Sequence, residues 1–175
     1  MRQSGYTLWE LLCTFAVAGV VLGVGVPSFE SFVLDSRRTA DVNGFVVAIQ
    51  LARSEAIKRG RPVVLCKTAD LLRCGGDEIR YDSGWMVFVN EDDLRPPQRD
   101  EAEPLLFAHA PRIEGRITSN RALFEFRPYR KRSTNGTVTF CDRRGEPAAR
   151  TVIVSYTGRP RVSDRGPGRV LSCAE

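Results

Sequence analysis

The feature that most constrains this chain is a long apolar stretch close to its N-terminus. Residues 11–26 carry no charged side chain, and Thr14 is the only hydroxyl among them. As an α-helix, residues 6–29 would be about 36 Å long at a rise of about 1.5 Å per residue, more than the roughly 30 Å of a bilayer core. The stretch therefore predicts one helix that can cross a membrane, while the 42% hydrophobic content of the whole chain argues against several spans.

A cleaved secretory signal peptide is the main alternative for such a segment. In that class an apolar core of about 7–15 residues is followed by a small-residue cleavage site. Here the run is longer, and the sequence VPSF at 26–29 offers no such site. The small-residue pair Ser4-Gly5 lies before the run, and Glu10 places a carboxylate at its edge, where ionisable groups are costly and usually functional.

These features together resemble the N-terminus of type IV pilins and type II secretion pseudopilins. The resemblance is carried by GYTLWELL at 5–12, the apolar run and VPSF at 26–29, with Tyr and Trp where Phe and Ile are usual. In that family a prepilin peptidase cleaves after the glycine, and the new N-terminus is methylated. The resemblance implies a leader over residues 1–5, cleavage between Gly5 and Tyr6, and N-methylation of Tyr6.

The resemblance also implies a cellular location and partners. The chain would pass once through the inner membrane with its head in the periplasm, and would then join a pilus filament at the cell surface. Its partners would be the prepilin peptidase and other pilins or pseudopilins. Glu10 would serve filament assembly by pairing with the freed amine of a neighbouring subunit, because a carboxylate in an apolar bundle needs a cationic partner.

The helix is predicted to continue beyond the apolar run. Pro27 should kink the helix rather than end it, because Gly23 and Gly25 already make the preceding turn more flexible. Gly60 and Pro62 form a C-terminal stop signal, so the helix should end near residue 60. Apolar residues at three- and four-residue steps mark the predicted core face, with polar residues opposite: the core positions are Val42, Phe45, Val46, Ile49, Ala52 and Ala56, and the polar ones are Asp41, Gln50, Arg53, Glu55 and Lys58.

After residue 61 the pattern changes to short β-rich runs separated by turn residues. The charged, proline-rich segment 90–104 predicts an exposed loop. The fold class is therefore α+β and type IV pilin-like, with a long N-terminal helix packed on an antiparallel β-sheet head. Four segments are expected along the chain. They are a leader (1–5), a helix segment in the membrane or filament core (6–29), an amphipathic continuation of the helix (30–61) and the head (62–175). The predicted strands are 63–67, 85–90, 113–119, 123–127, 137–141, 151–156 and 169–173.

Two internal segments make the resemblance specific to one branch of the family. The sequence LARSEAIKRG at 51–60, followed by VVLC at 63–66, is similar to the GspH/FimT branch of minor pilins. The sequence GWMVF at 84–88 carries the same resemblance. With these segments the resemblance covers nearly the whole chain.

Five cysteines are distributed between the apolar run and the head. Cys13 lies in the apolar run and is interpreted as a small apolar residue. The other four lie in the part that the topology places outside the cytoplasm, where an even number predicts disulfides with three possible connectivities. Their short separation favours a Cys66–Cys74 bond, which leaves Cys141 with Cys173.

The sequence predicts neither a catalytic site nor a metal or cofactor site. His109 is the only histidine, and no motif marks it as a general base. CxxC pairs are absent, so a zinc site is not expected. No glycine-rich phosphate loop follows a strand.

Positive charge is concentrated at the C-terminal end of the chain. Residues 1–110 hold 12 basic and 15 acidic side chains, whereas residues 111–175 hold 14 and 6, a net charge of +8. Of the 26 basic residues 23 are arginines, whose planar guanidinium suits phosphate oxygens better than lysine does. An anionic partner is one interpretation, and a solvated surface with salt bridges to neighbouring subunits is the other.

The sequence GRPR at 158–161 resembles the GRxR motif near the C-terminus of FimT-like minor pilins, which bind DNA during natural transformation. The resemblance implies that Arg159 and Arg161 contact the phosphate backbone of extracellular double-stranded DNA without sequence specificity. Neighbouring arginines are expected to assist: Arg143, Arg144, Arg165 and Arg169. The alternative is a structural subunit without DNA binding, either FimU-like in pilus assembly or GspH-like in type II secretion.

Overall fold

A computed structural model describes residues 7–128, 132–164 and 173, apart from the side chain of Pro27. The chain divides into two compact units, residues 1–36 and 37–175. The described elements are α1 (Leu8–Arg59), β1 (Val63–Lys67), β2 (Trp85–Val89), β3 (Leu105–His109), β4 (Gly115–Ser119), β5 (Leu123–Phe126), β6 (Gly136–Asp142), a 3₁₀ turn (Glu146–Ala148), β7 (Arg150–Val154) and β8 (Pro160–Ser163).

In the first unit, α1 begins with a side-chain cap. The backbone amide of Glu10 donates a hydrogen bond of 3.3 Å to the hydroxyl of Thr7, three residues earlier. Thr7 and Glu10 thus have the spacing of a capping box, in which a threonine caps the helix and a glutamate occupies its first turn. The helix is long and apolar enough to cross a membrane, and the side chains of its apolar stretch are exposed within this unit.

In the second unit, the remainder of α1 contributes the centre of the hydrophobic core. The ring of Phe45 is fully buried and makes edge-on contacts with the rings of Tyr81, Trp85, Phe124 and Phe140, at centroid distances of 5.3–6.1 Å. Edge-on aromatic pairs add to the gain from burial. The helix ends as predicted, since Gly60 has a positive φ of 65° and its amide bonds back to the carbonyl of Ala56.

The strands form two four-stranded sheets in which all pairs are antiparallel. The first has the order β3-β2-β1-β5, and the second has the order β4-β6-β7-β8. One core cluster joins residues of α1 to both sheets. The first sheet is also apolar on its other face, where a smaller cluster forms from Val64, Cys66, Met86 and Phe88.

Two strands were missed by the sequence interpretation, and one helix position was misassigned. The edge strand β3 (Leu105–His109) does not alternate between buried and exposed residues, and the edge strand β8 begins with Pro160, which weakens a strand signal. The prediction that Asp41 lies on the solvent face is wrong, because it is fully buried one helical turn before Phe45. The strand predicted over 169–173 lies outside the described residues, except for Cys173.

Candidate functional site

The hairpin between β7 and β8 holds the backbone of Arg159 in place. The amide of Ser155 donates to the carbonyl of Arg159 at 3.1 Å, and the amide of Arg159 donates to the hydroxyl of Ser155 at 3.2 Å. The amide of Gly158 donates to the carbonyl of Ser155 at 2.8 Å. The arginine therefore projects from an ordered turn.

Gly158 is the position in this turn that requires glycine. Its φ is +71°, in the left-handed region that other residues rarely adopt. A Cβ at this position would lie 3.0 Å from the ring of Phe126 and 3.3 Å from the hydroxyl of Ser133. The first residue of the GRxR motif thus allows the turn to lie directly on the head.

The side chains of Arg159 and Arg161 are exposed. Neither guanidinium makes a hydrogen bond or an ion pair with any residue that the structure describes. Arg161 lies opposite Ile153 in the ladder between β7 and β8, on the face away from the core residue Val152. Within the described part of the chain, neither cation is thus compensated by a carboxylate.

A third arginine and a tyrosine join this end of the second sheet. The guanidinium carbon of Arg132 lies 5.6 Å from the centroid of the Tyr156 ring, within cation–π range. The amide of Ser133 donates to the carbonyl of Tyr156 at 3.1 Å, which holds the loop against the hairpin. We name Arg132, Tyr156, Arg159 and Arg161 the hairpin patch. No signal in the sequence linked Arg132 to Tyr156, 24 positions later.

Two other arginines of the basic region are bound to carboxylates of the head. Arg144 contacts Asp142 through its Nε, at 3.1 Å from Oδ1, and through a terminal nitrogen, at 2.6 Å from Oδ2. Arg38 of α1 reaches Oδ2 of the same fully buried carboxylate at 3.1 Å. Arg127 contacts both oxygens of Glu125 at 2.9 and 3.0 Å. Arg144 and Arg127 thus contribute to the structure of the head.

The environment of Asp142 lowers the pKa of its carboxyl group. Burial acts to raise the pKa of this carboxyl. The hydrogen bonds from Arg144 and the positive charges of Arg144 and Arg38 act in the opposite direction and prevail, so the pKa lies below its usual value. The carboxylate therefore stays ionised where α1 meets the end of β6.

Arg143 lies at the opposite end of the second sheet from the hairpin turn. It is exposed and lines a groove of about 880 Å³ together with Arg80 and Arg116. From the strand register, Arg143 and Arg161 are separated by roughly 20 Å along the strand direction, at about 3.3 Å per residue. The structure therefore does not cluster Arg143 and Arg144 with the hairpin patch, and Arg165 and Arg169 lie outside the described residues.

The four head cysteines form two disulfides, which join the residues that the sequence interpretation paired. Cys66 is bonded to Cys74 with an S–S distance of 2.12 Å, and Cys141 to Cys173 with 1.99 Å. The second bond holds Cys173 beside the end of β6. Cys13 is free and exposed.

The lone histidine, His109, contacts a buried carboxylate of the helix. Nε2 of His109 lies 2.9 Å from the buried carboxylate of Asp41, whose other oxygen accepts the amide of Arg112 at 2.9 Å. Within residues 7–128, 132–164 and 173, no group of three or more His, Cys, Asp or Glu side chains is placed to hold a metal ion. The predicted cleavage residues Gly5 and Tyr6 lie outside the described part of the chain, and Glu10 lies in the first turn of α1.

Comparison with known proteins identifies the family. The model of the family described as type II transport protein GspH matches residues 41–158. The fold is similar to a crystal structure of the type IV minor pilin FimU from Pseudomonas aeruginosa, with a TM-score of 0.55 and 17% identity over 77% of this chain and 98% of that chain. A second crystal form of FimU gives a TM-score of 0.52 and 16% identity, covering 82% and 97% of the two chains. No curated protein matches this chain significantly.

The family match extends from the buried half of α1 to the glycine of the GRxR motif, which is more than half of the chain. The similarity to FimU at this level of identity concerns the fold, a long N-terminal helix packed on antiparallel sheets. This chain therefore belongs to the GspH family of structural pilins, as a type IV minor pilin or pseudopilin.

Proposed function

We propose that this minor pilin binds extracellular double-stranded DNA through the hairpin patch and serves natural transformation. The observation that carries the proposal is the state of Arg159 and Arg161. Both guanidiniums are exposed and make no ion pair with a described residue. In contrast, Arg144 and Arg127 of the same basic region are bound to carboxylates.

The hairpin supplies the positioning that phosphate recognition needs. Arginine binds phosphate oxygens through paired N–H donors, and such charge-assisted bonds are among the stronger ones in proteins. Because the turn fixes the backbone of Arg159 through Ser155, less freedom is lost on binding than for an arginine on a flexible arm. Contacts of this kind position the duplex without reading its sequence.

The composition of the hairpin patch favours duplex DNA over single strands. Single-strand binding grooves present several aromatic rings on which bases stack. The hairpin patch has one ring, Tyr156, and Arg132 already lies over it. Contacts between its three arginines and the phosphates of DNA are therefore the main interaction that the hairpin patch offers.

A duplex could contact more of the head than the hairpin patch alone. DNA carries about one negative charge per 1.7 Å of its axis, so the roughly 20 Å between Arg161 and Arg143 corresponds to about twelve charges. Arg143 could assist at the far end of such a path, with Arg165 and Arg169 as further candidates. We assign Arg144 a smaller part, because Asp142 already binds it.

The N-terminal segment would bring the head to the filament. In the proposed sequence of events, the leader is cleaved between Gly5 and Tyr6, Tyr6 is methylated, and the apolar helix leaves the inner membrane for the filament. Glu10 would pair with the freed amine of a neighbouring pilin. The exposed apolar side chains before residue 30 support a location in lipid or in a helical bundle.

A gel-shift assay with random-sequence duplex DNA tests the proposal. The full chain in non-ionic detergent micelles would be compared with the double variant Arg159→Ala/Arg161→Ala. The control is Arg73→Ala/Arg112→Ala, which removes the same charge from exposed arginines outside the hairpin patch. We expect the first variant to lose most of its affinity and the control to keep it. Absence of a shift for the wild type at low salt would refute DNA binding.

A structural subunit without DNA binding is the second candidate. It is favoured by the family model, described as type II transport protein GspH, and by the fold shared with the type IV minor pilin FimU. In that case the arginines of the hairpin patch would contact carboxylates of neighbouring subunits. The same assay separates the two candidates, because a scaffold subunit should give no shift that depends on Arg159 and Arg161.

A further inference from the structure

A second basic feature of the head is a lysine at the end of a buried strand. Lys67, the last residue of β1, is only 8% exposed, and it forms no ion pair with any carboxylate that the structure describes. Its Nζ keeps contact with solvent, so the ammonium group can meet an anion that enters from outside. Lys67 lines a cavity of about 370 Å³, within the size range of small-ligand sites.

Hydrogen-bond donors line the wall of this cavity at the β4–β5 connection. The hydroxyl oxygen of Ser119 accepts the amide of Arg121 at 3.1 Å, so its proton remains to donate. The amide oxygen of Asn120 accepts the amide of Thr137 at 2.8 Å, which directs its NH₂ group elsewhere. Nε of Arg121 donates to the carbonyl of Asn135 at 2.9 Å, which leaves the two terminal nitrogens of its guanidinium as hydrogen-bond donors toward a ligand.

The charge balance of the cavity is positive. Arg80 also lines it, but Asp82 binds this arginine at 2.8 Å and compensates its charge. Lys67 and Arg121 are then opposed by one lining carboxylate, Asp77, which is exposed. The inner wall includes the buried phenol of Tyr81, which donates to the carbonyl of Ala122 at 3.1 Å.

We infer that this cavity binds a phosphate-type oxyanion, held by Lys67 and Arg121 with Ser119 and Asn120 as neutral donors. All four side chains line one cavity, and donors of different shape suit a tetrahedral anion with several acceptor oxygens better than a planar carboxylate. The anion is either free phosphate or a phosphomonoester, or a phosphate group of a nucleic acid strand. The site lies outside the hairpin patch, so the inference does not depend on DNA binding.

Titration of the full chain in non-ionic micelles with inorganic phosphate tests the site. Chloride would keep the ionic strength constant, and the readouts are the amide NMR shifts of residues 119–121 and the Tm. We expect saturable shifts and a rising Tm for the wild type. Lys67→Met should weaken binding at least about tenfold, since a charge-assisted hydrogen bond is lost. Asp77→Asn should tighten binding.

Two controls exclude trivial explanations. Lys58→Met removes a lysine whose side chain is 75% exposed and should leave phosphate binding unchanged. In phosphate-free buffer, Lys67→Met should have a Tm close to that of the wild type, because methionine keeps an apolar side chain of similar length and the variant breaks no ion pair with a described residue. That result would show that loss of binding does not reflect unfolding.

The outcomes are distinct. If Lys67→Met also weakens binding to duplex DNA, a strand phosphate occupies the site, and if DNA binding is unchanged, the ligand is a free phosphate or phosphomonoester. Acetate that binds as tightly as phosphate would overturn the assigned ligand class. Phosphate shifts that do not saturate, or that persist undiminished in Lys67→Met, would overturn the site itself, whatever the DNA assay shows.

Discussion

At the scale of single residues, the candidate site depends on backbone geometry as much as on charge. The arginines of the GRxR motif were selected from the sequence by their resemblance to a family motif. That no described carboxylate binds them could not be predicted, since Arg144 and Arg159 look alike in sequence but only Arg144 contacts a buried aspartate. The pairing of Arg132 with Tyr156 and the cavity at Lys67 depend on how distant segments pack.

Gly158→Ala tests the geometry of the hairpin turn. The positive φ and the contacts of the added Cβ with Phe126 and Ser133 should lower the free energy of unfolding by about 1–2 kcal/mol. Urea denaturation would measure it. Gly76→Ala is the control, because a Cβ there has no neighbour within 4 Å, and it should change stability by less than about 0.5 kcal/mol. Equal effects of the two variants would contradict the role of Gly158.

Asp142→Asn tests the ionic contact between α1 and β6. The variant leaves Arg38 and Arg144 without their carboxylate, so we expect a loss of about 3 kcal/mol at pH 7, the low end for a buried pair because Arg144 keeps solvent contact. The depressed pKa of Asp142 fixes the pH dependence. Its contribution is complete above the ordinary carboxyl pKa of about 3.9 and is lost as pH falls towards the lower native value.

Urea denaturation of both proteins between pH 6 and pH 2 is the measurement. The difference in the free energy of unfolding between wild type and Asp142→Asn should be constant near pH 6 and should decrease only below about pH 4. A gap that does not depend on pH would show that the carboxylate charge is not the source of the stability.

At the scale of elements, the sequence was sufficient where one periodicity covered a long segment. The end of α1 at Gly60 and six of the eight strands follow from apolar patterns and turn residues. The edge strands β3 and β8 lacked that signal, because an edge strand is exposed on one side and is often short or begins with proline. Asp41 was misassigned because a buried aspartate is predictable only when its partners, His109 and the amide of Arg112, are known.

The two disulfides should stabilise the head unequally. The chain-entropy relation gives about 4 kcal/mol for the Cys141–Cys173 bond, whose residues are 32 apart, and about 2.5 kcal/mol for Cys66–Cys74, which are 8 apart. We therefore expect Cys141→Ala/Cys173→Ala to lower the free energy of unfolding more than Cys66→Ala/Cys74→Ala. Denaturant titration under oxidising conditions would compare them, and the reverse order would contradict the entropic account.

At the scale of the whole molecule, we propose different partners for the apolar helix and for the basic head. The helix has the length and composition to cross a membrane, and its unit is distinct from the one that contains both sheets. Membership of a pilin family indicates assembly with other pilins. We therefore expect changes in the helix to affect assembly and changes in the hairpin patch to affect DNA binding.

Variants of Glu10 test the first half of this separation. Glu10→Gln keeps a side chain suited to the capping box but removes the charge, whereas Glu10→Ala removes both. In each variant the backbone amide at position 10 can still donate to the hydroxyl of Thr7. If the charge pairs with a neighbouring amine, both variants should be absent from sheared filaments while the head stays folded by circular dichroism. Normal incorporation of Glu10→Gln would show that helix capping, and not charge, is the function of this residue.

The salt dependence of DNA affinity is the decisive measurement for DNA binding by the hairpin patch. For wild type and for Arg159→Ala/Arg161→Ala, the dissociation constant for random-sequence duplex would be measured from low to physiological salt. The slope of log affinity against log salt is negative, and each lost phosphate contact should reduce its magnitude by about 0.9. We therefore expect the slope of the variant to be less steep by about 1.8. An unchanged slope and affinity would contradict binding through the hairpin patch.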